Sequence, residues 1–144
     1  MKRYNPITHP FLFHISLENC DGKTFTPRIP VDAYNNDEDT KHKRICVSTS
    51  LIGCILAIDP CLWCPAVKWF VHVPENLNEL YESGSILVPN EKEVPDVKTT
   101  REKWITKKTR MKCIGIIANC SHVYGKRRFR WVKKFWTLSA QIRI

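Results

Sequence analysis

Apolar and polar positions alternate along this chain in short blocks, and their periods predict a mixture of strands and a few short helices. Phe11-Leu12-Phe13-His14-Ile15-Ser16 is aromatic and nearly continuous in apolar character, as a first strand would be. Ile45-Cys46-Val47 is a second short run with β-branched members, suited to a strand covered on both faces. Leu51, Ile52, Ile55, Leu56 and Ile58 then form the apolar surface of a helix that Asp59-Pro60 stops. Between them, Ser48, Thr49 and Ser50 offer hydroxyls, any of which can cap that helix. A strand that feeds a helix through Ser-Thr-Ser sets small donors beside a helix N-terminus. That arrangement is either an ordinary cap or an anion site.

Further along, Lys68 to Val73 reads as a strand ended by Pro74. Leu77, Leu80 and Tyr81 fit a short helical turn closed by Ser83-Gly84, and Ile86-Leu87-Val88 is a brief strand. Thr99 to Ile105 begins another extended piece. Met111 to Ala118 is apolar on both faces, as a central strand is, with Gly115 at a close approach of backbone. From Val132 to Ile144 the even positions are mostly apolar and the odd ones mostly polar, which predicts a half-buried strand. Leu17 to Arg44 is long and irregular, with Asp21-Gly22 and the acidic run Asp37-Glu38-Asp39. Within it, Pro27 and Pro30 hold Arg28 and Ile29 extended. A loop of this length either covers a ligand site, with Arg28 facing a phosphate, or is a surface loop. Asn90 to Lys98 reads as a polar loop and Asn119 to Lys126 as a turn. With six or seven strands, and neither repeats nor linkers, residues 1–144 form one domain.

Composition narrows the class. With 144 residues, 43% apolar and 26% charged, the chain has room for a core without staples. No apolar run reaches membrane-spanning length, and Met1-Lys2-Arg3-Tyr4-Asn5 is not followed by a signal-peptide core. The expectation is a cytoplasmic protein with reduced thiols and no membrane partner. Of its 7 cysteines, Cys46, Cys54 and Cys113 sit in apolar patterns and read as small buried hydrophobes. Cys61-Leu62-Trp63-Cys64-Pro65 has a zinc or redox spacing. No second Cys-x-x-Cys follows it, and Cys113, Cys120 and His122 lie far along the chain, so no metal is assigned.

The net charge of +9 is unevenly placed. Residues 1–100 hold 10 Lys/Arg against 13 Asp/Glu, whereas residues 101–144 hold 13 Lys/Arg against the single acid Glu102. A basic third of the chain points to a polyanionic partner, whether nucleic acid, nucleotide cofactor or acidic protein; the alternative is a solvated basic surface. Tyr124 to Trp136 interleaves cations with aromatics, as single-strand binders do.

Three features then stand out in order. They are a His in the first strand (Phe13-His14-Ile15-Ser16), a Ser/Thr turn after a middle strand (Val47-Ser48-Thr49-Ser50), and a lone acid in a basic region (Arg101-Glu102-Lys103-Trp104). In this order the chain resembles the ADP-ribosyltransferase-like fold over residues 11 to about 118. The resemblance implies an α+β domain with a split, mostly antiparallel sheet and one or two short helices. It also implies NAD as the cofactor and a macromolecular target, protein or nucleic acid, docked on the basic C-terminal third. Carried over, His14 orients the nicotinamide-side ribose and Ser48, Thr49 and Ser50 shape the nicotinamide pocket. Glu102 would be the catalytic residue that holds the ribose hydroxyl and stabilises the oxocarbenium ion, with His14 beside it. Arg28 would face a phosphate, and Arg101, Lys103, Lys107 and Lys108 would keep Glu102 ionised and hold the pyrophosphate. Many transferases carry an acid or Gln two residues before the catalytic Glu, where this chain has Thr100. His14 in place of the first-strand Arg indicates the His-bearing branch. That branch also includes enzymes that remove an RNA phosphate using NAD and members that have lost catalysis. The setting implied is a small prokaryotic or phage protein of the toxin or phage–host conflict type. The competing reading is a non-enzymatic basic module that binds nucleic acid or an acidic protein.

Overall fold

The computed structural model describes residues 2–121 and 127–144. Among these, the strands in chain order are β1 (Lys2–Arg3), β2 (His14–Ser16), β3 (Thr24–Phe25), β4 (Ile45–Ser48), β5 (Lys68–Pro74), β6 (Ile86–Val88), β7 (Glu102–Ile105), β8 (Thr109–Asn119) and β9 (Phe129–Lys134). Three short helices interrupt them: α1 (Leu51–Leu56), α2 (Leu77–Glu82) and α3 (Val97–Thr100). One sheet has the order β1-β6-β7-β4; the other runs β2-β5-β8-β3, with β9 also on β8. Every strand pair is antiparallel. The sheets meet at a single bridge, where Phe13 and Ser48 exchange both backbone hydrogen bonds at 2.7 and 2.9 Å. The result is an α+β domain of mostly antiparallel sheet with few short helices, as the pattern predicts at that level.

Each element follows from its residues. In β5, Trp69, Val71 and Val73 alternate onto one buried face, and β8 supplies Ile114 and Ile117 to the same core. Leu51, Cys54 and Ile55 of α1 close that core from above, together with Phe13 and Phe129. A second core gathers Tyr4, Leu12, Ile45, Val47, Leu80, Ile86, Ile105 and Met111 around the other sheet and α2. Ser50 is the hydroxyl that caps α1: its Oγ accepts the Gly53 N–H at 3.0 Å. The helix ends at Leu56 with Ala57 as C-cap, ahead of the stop at Asp59-Pro60. No helix among the described residues is long and apolar enough to cross a membrane.

Several expectations are corrected. The strand expected over Val132–Ile144 ends at Lys134, and the chain turns through a 3₁₀ turn at Leu138–Gln141. Pairing with β8 sets the parity of β9, so Phe129 and Trp131 face inward while Val132 is 54% exposed. The later apolar positions serve the turn instead, with Trp136, Ile142 and Ile144 packed on the first core. The long irregular segment is tied down by β3 against β8, by a backbone bridge between Arg28 and Arg44, and by hydrogen bonds such as that from the Cys113 N–H to Asp21 Oδ1 at 2.9 Å. The extended piece expected from Thr99 opens as the helical turn α3. Arg101, with φ of 54°, then redirects the chain into β7. Asn119 belongs to β8, while Tyr124, Gly125 and Lys126 of the expected turn, and His122, lie outside the described residues.

Close approaches mark two glycines. A Cβ at Gly115 would meet the Lys133 carbonyl oxygen at 2.5 Å and the Trp131 ring at 2.6 Å, the tight contact expected there. At Gly53 a Cβ would lie 2.1 Å from the Thr100 carbonyl oxygen and 2.3 Å from Ser48 Oγ. Helix propensity alone would favour Gly53→Ala by about 1 kcal/mol. The backbone carbonyl opposite it cannot move without moving α3, so Gly53→Ala is expected to lower stability by about 1–3 kcal/mol. Urea unfolding measures this, and a gain in stability would show that α1 and α3 do not touch as described.

Candidate functional site

A cleft of about 210 Å³ opens where the two sheets part beyond the Phe13–Ser48 bridge. One wall is β2 (His14, Ile15), a second is β4 (Cys46 to Ser48), and α1 and Trp69 close the back. Thr100 and Glu102 complete the rim. Three of the residues singled out in the sequence, His14, Ser48 and Glu102, therefore line one cavity, although they come from strands far apart in the chain. The register accounts for this: Ser48 stands opposite Glu102 in the β4–β7 ladder and opposite Phe13 at the bridge.

His14 is half-buried. Its Nδ1 lies 3.0 Å from the Cys46 carbonyl oxygen, which can only accept, so Nδ1 carries the proton and Nε2 keeps its lone pair. This bond spans the point where the β2–β4 ladder has stopped. Burial lowers the His14 pKa, and the Arg28 charge lowers it further against the favourable Cys46 bond. The ring is neutral at pH 7. Beside it lies His72, its cross-strand partner, fully buried, with Nε2 accepting the Cys20 N–H at 2.9 Å. Burial, with the neighbouring His14 charge adding to it, brings the His72 pKa down to about 4. Phe25 packs edge-on against His14 at 5.0 Å between centroids.

Glu102 opens β7, and its carboxylate accepts the Trp104 indole N–H at 2.7 Å. Trp104 is fully buried, with the Arg44 guanidinium stacked 4.3 Å from the ring centroid. Arg44 in turn donates to the carbonyls of Asp39 and His42, at 2.8 and 3.0 Å, and faces Glu38 at 3.4 Å. Cys46 adjoins this carboxylate; burial pushes its thiol up first, and the Glu102 charge adds to that. Trp104, Arg44 and Cys46 were not among the residues singled out for a site. Trp104 was legible as one, since positions two apart on a strand share a face.

The other expected residues take different places. Ser48 is buried and donates to the Thr100 carbonyl at 2.6 Å, so its proton serves to hold the end of α3. Ser50 is committed to its cap, and neither it nor Thr49 lines the cleft. Arg28 is exposed outside the cleft, near enough for its charge to reach His14. Lys103 Nζ donates to the carbonyls of Arg101 and Glu102, and burial followed by the Arg101 charge lowers its pKa. Arg101, Lys107 and Lys108 are exposed. On the far side of Glu102 a second cleft of about 340 Å³ is lined by Asp32, Glu38 and Asp96. Cys61 and Cys64 are exposed, and among the described residues no third ligand joins them. Comparison with models of protein families, with curated proteins and with solved structures returned no match.

The buried His72 gives the fold a pH dependence. In the unfolded chain a His binds its proton near pH 6.5, while folded His72 resists protonation down to about pH 4. Between these values the unfolded state holds more protons, so stability is lost as pH falls from about 6.5 toward 4. Thermal unfolding across this range should show a falling Tm. His72→Gln, which keeps an acceptor for Cys20, should flatten that slope; an unchanged slope would remove His72 as its source.

Proposed function

We propose that this chain is an ADP-ribosyltransferase-like protein of the His-bearing branch that transfers ADP-ribose from NAD to a macromolecular target. The observation that carries the reading is the convergence of His14, Ser48 and Glu102 on one cleft from three separate strands. The residues fit the nicotinamide–ribose end of NAD. Phe13, Ile58 and Trp69 offer apolar and aromatic walls for a flat ring, and His14 Nε2 is a free acceptor for a ribose hydroxyl. At about 210 Å³ the cleft takes that end and leaves the adenosine half outside. The acids Asp32, Glu38 and Asp96 repel a pyrophosphate from the far side of Glu102, which leaves the Arg28 side for it.

Transfer would break the bond between nicotinamide nitrogen and ribose C1′, the electron pair leaving with nicotinamide, and form a bond from the acceptor to C1′, with the acceptor's proton released to solvent. Positive charge builds on the sugar between these events. A carboxylate fixed beside it favours the transition state over the bound substrate. Glu102 is so fixed: Trp104 orients it, Arg44 braces Trp104, and the Ser48–Thr100 bond anchors the start of its strand.

Calorimetry and thermal shift with NAD test the reading. Wild type should bind and be stabilised by millimolar NAD, and His14→Ala should abolish the effect. Glu102→Gln keeps an acceptor for the Trp104 N–H, so it should bind NAD within a few-fold of wild type. Its transfer to a target, or release of nicotinamide to water, should fall by about 10²–10³. Wild type that ignores millimolar NAD would refute the proposal.

A further inference from the structure

On the opposite side of α1 from the candidate site lies a cleft of about 250 Å³ between that helix and the start of β9. Ile52 and Ile144 give it its apolar surface, with Ile55 and Phe129 buried behind them, and Arg127 and Arg128 stand at it with exposed side chains. The backbone of Arg128 is pinned: its N–H donates to Asn119 Oδ1 at 3.1 Å and its carbonyl accepts the Cys120 N–H at 2.7 Å. Arg130 and Lys133 continue as exposed cations on one face of β9, whose one strand partner among the described residues is β8, while Lys134 is exposed on the other face. The sequence contains no acid after Glu102, and none of these cations has an ion-pair partner among the described residues.

We propose that this cleft and the cationic face of β9 bind a single-stranded nucleic acid. An unstacked base would occupy the apolar slot, with the flanking phosphates on Arg127, Arg128 and the β9 cations. The pairing of features selects this partner. Cations alone would suit any polyanion, but an apolar slot beside two guanidinium groups suits a ligand that alternates flat apolar surface with charge. An acidic peptide has no use for the slot, and a duplex keeps its bases stacked away from it. One helix, about 10 Å across, separates the slot from the cleft of His14 and Glu102, because Ile52 and Ile55 face one way and Gly53, Cys54 and Ala57 the other. The binding itself stands without the NAD reading; the strand's role as the acceptor of ADP-ribose rests on it.

Fluorescence anisotropy with labelled ten-nucleotide oligo-U and oligo-dT tests the proposal, beside a duplex of equal length and with heparin as a second polyanion. Wild type should bind both single strands at 50 mM salt and the duplex more weakly. The Arg127→Ala/Arg128→Ala double variant should lose at least tenfold in affinity. Its plot of log K against log salt should flatten by about 1.4, two phosphate contacts on a single strand. Ile52→Glu, which puts a like charge at the slot, should weaken binding comparably; melting curves confirm that each variant folds. The difference between oligo-U and oligo-dT identifies RNA or DNA as the preferred strand. No binding at 50 mM salt, an unchanged double variant, or heparin bound as tightly as the oligonucleotides would overturn the proposal. NAD stabilisation of the same double variant is measured in parallel, so that failure of one site is not mistaken for failure of the other.

Discussion

The two backbone hydrogen bonds between Phe13 and Ser48 are where the two sheets become one structure. Short strands cannot supply long ladders, and a ladder of one pair leaves the next carbonyl, that of Cys46, without a strand partner across the split. His14 takes it through Nδ1. A side chain thus completes an interface that backbone cannot, which is the usual demand on a buried polar group. The cleft exists because the strands part there, and one ring of the cleft is also the brace that limits how far they part.

Behind Glu102 the support is layered. The acid loop holds Arg44, Arg44 stacks on Trp104, and the indole N–H of Trp104 holds the carboxylate. Ser48 fixes the end of α3 immediately before that strand begins, and Gly53 allows α1 to lie against it. A carboxylate positioned by fully buried neighbours has little freedom left to lose, which is what the proposed stabilisation of a cation would require. The same packing gathers negative charge on one side, at Asp32, Glu38 and Asp96, while β9 gathers positive charge on the other. The net charge of +9 therefore covers both an acid-lined cleft and a strand of exposed cations.

Local pattern was informative where burial and period agree. The strand at 68–74 and the helical turn at 77–82 were readable because their apolar runs end at Pro74 and at Ser83-Gly84, and the central strand around 111–118 because it is apolar on both faces. The cap of α1 was readable to within three hydroxyls, and geometry selected Ser50. The pattern misled at the C-terminus. Alternation over Val132–Ile144 resembles a strand, but Phe129 and Trp131 had already set the inward parity when they paired with β8. Two-residue strands such as β1 and β3 left no signal, since a period needs several repeats to register.

The sequence by itself determined most of the element types, the basic C-terminal third and which residues were candidates for chemistry, because these depend on local propensity and on charge, which need no partner. Tertiary structure decided which of those residues meet. It brought His14, Ser48 and Glu102 together through strand register, left Thr49, Ser50 and Arg28 outside the cleft, and recruited Trp104 and Arg44 as support. The physical reason is that contacts between distant strands are set by pairing and by the volumes that fill the core. Neither is written in any one segment of the chain.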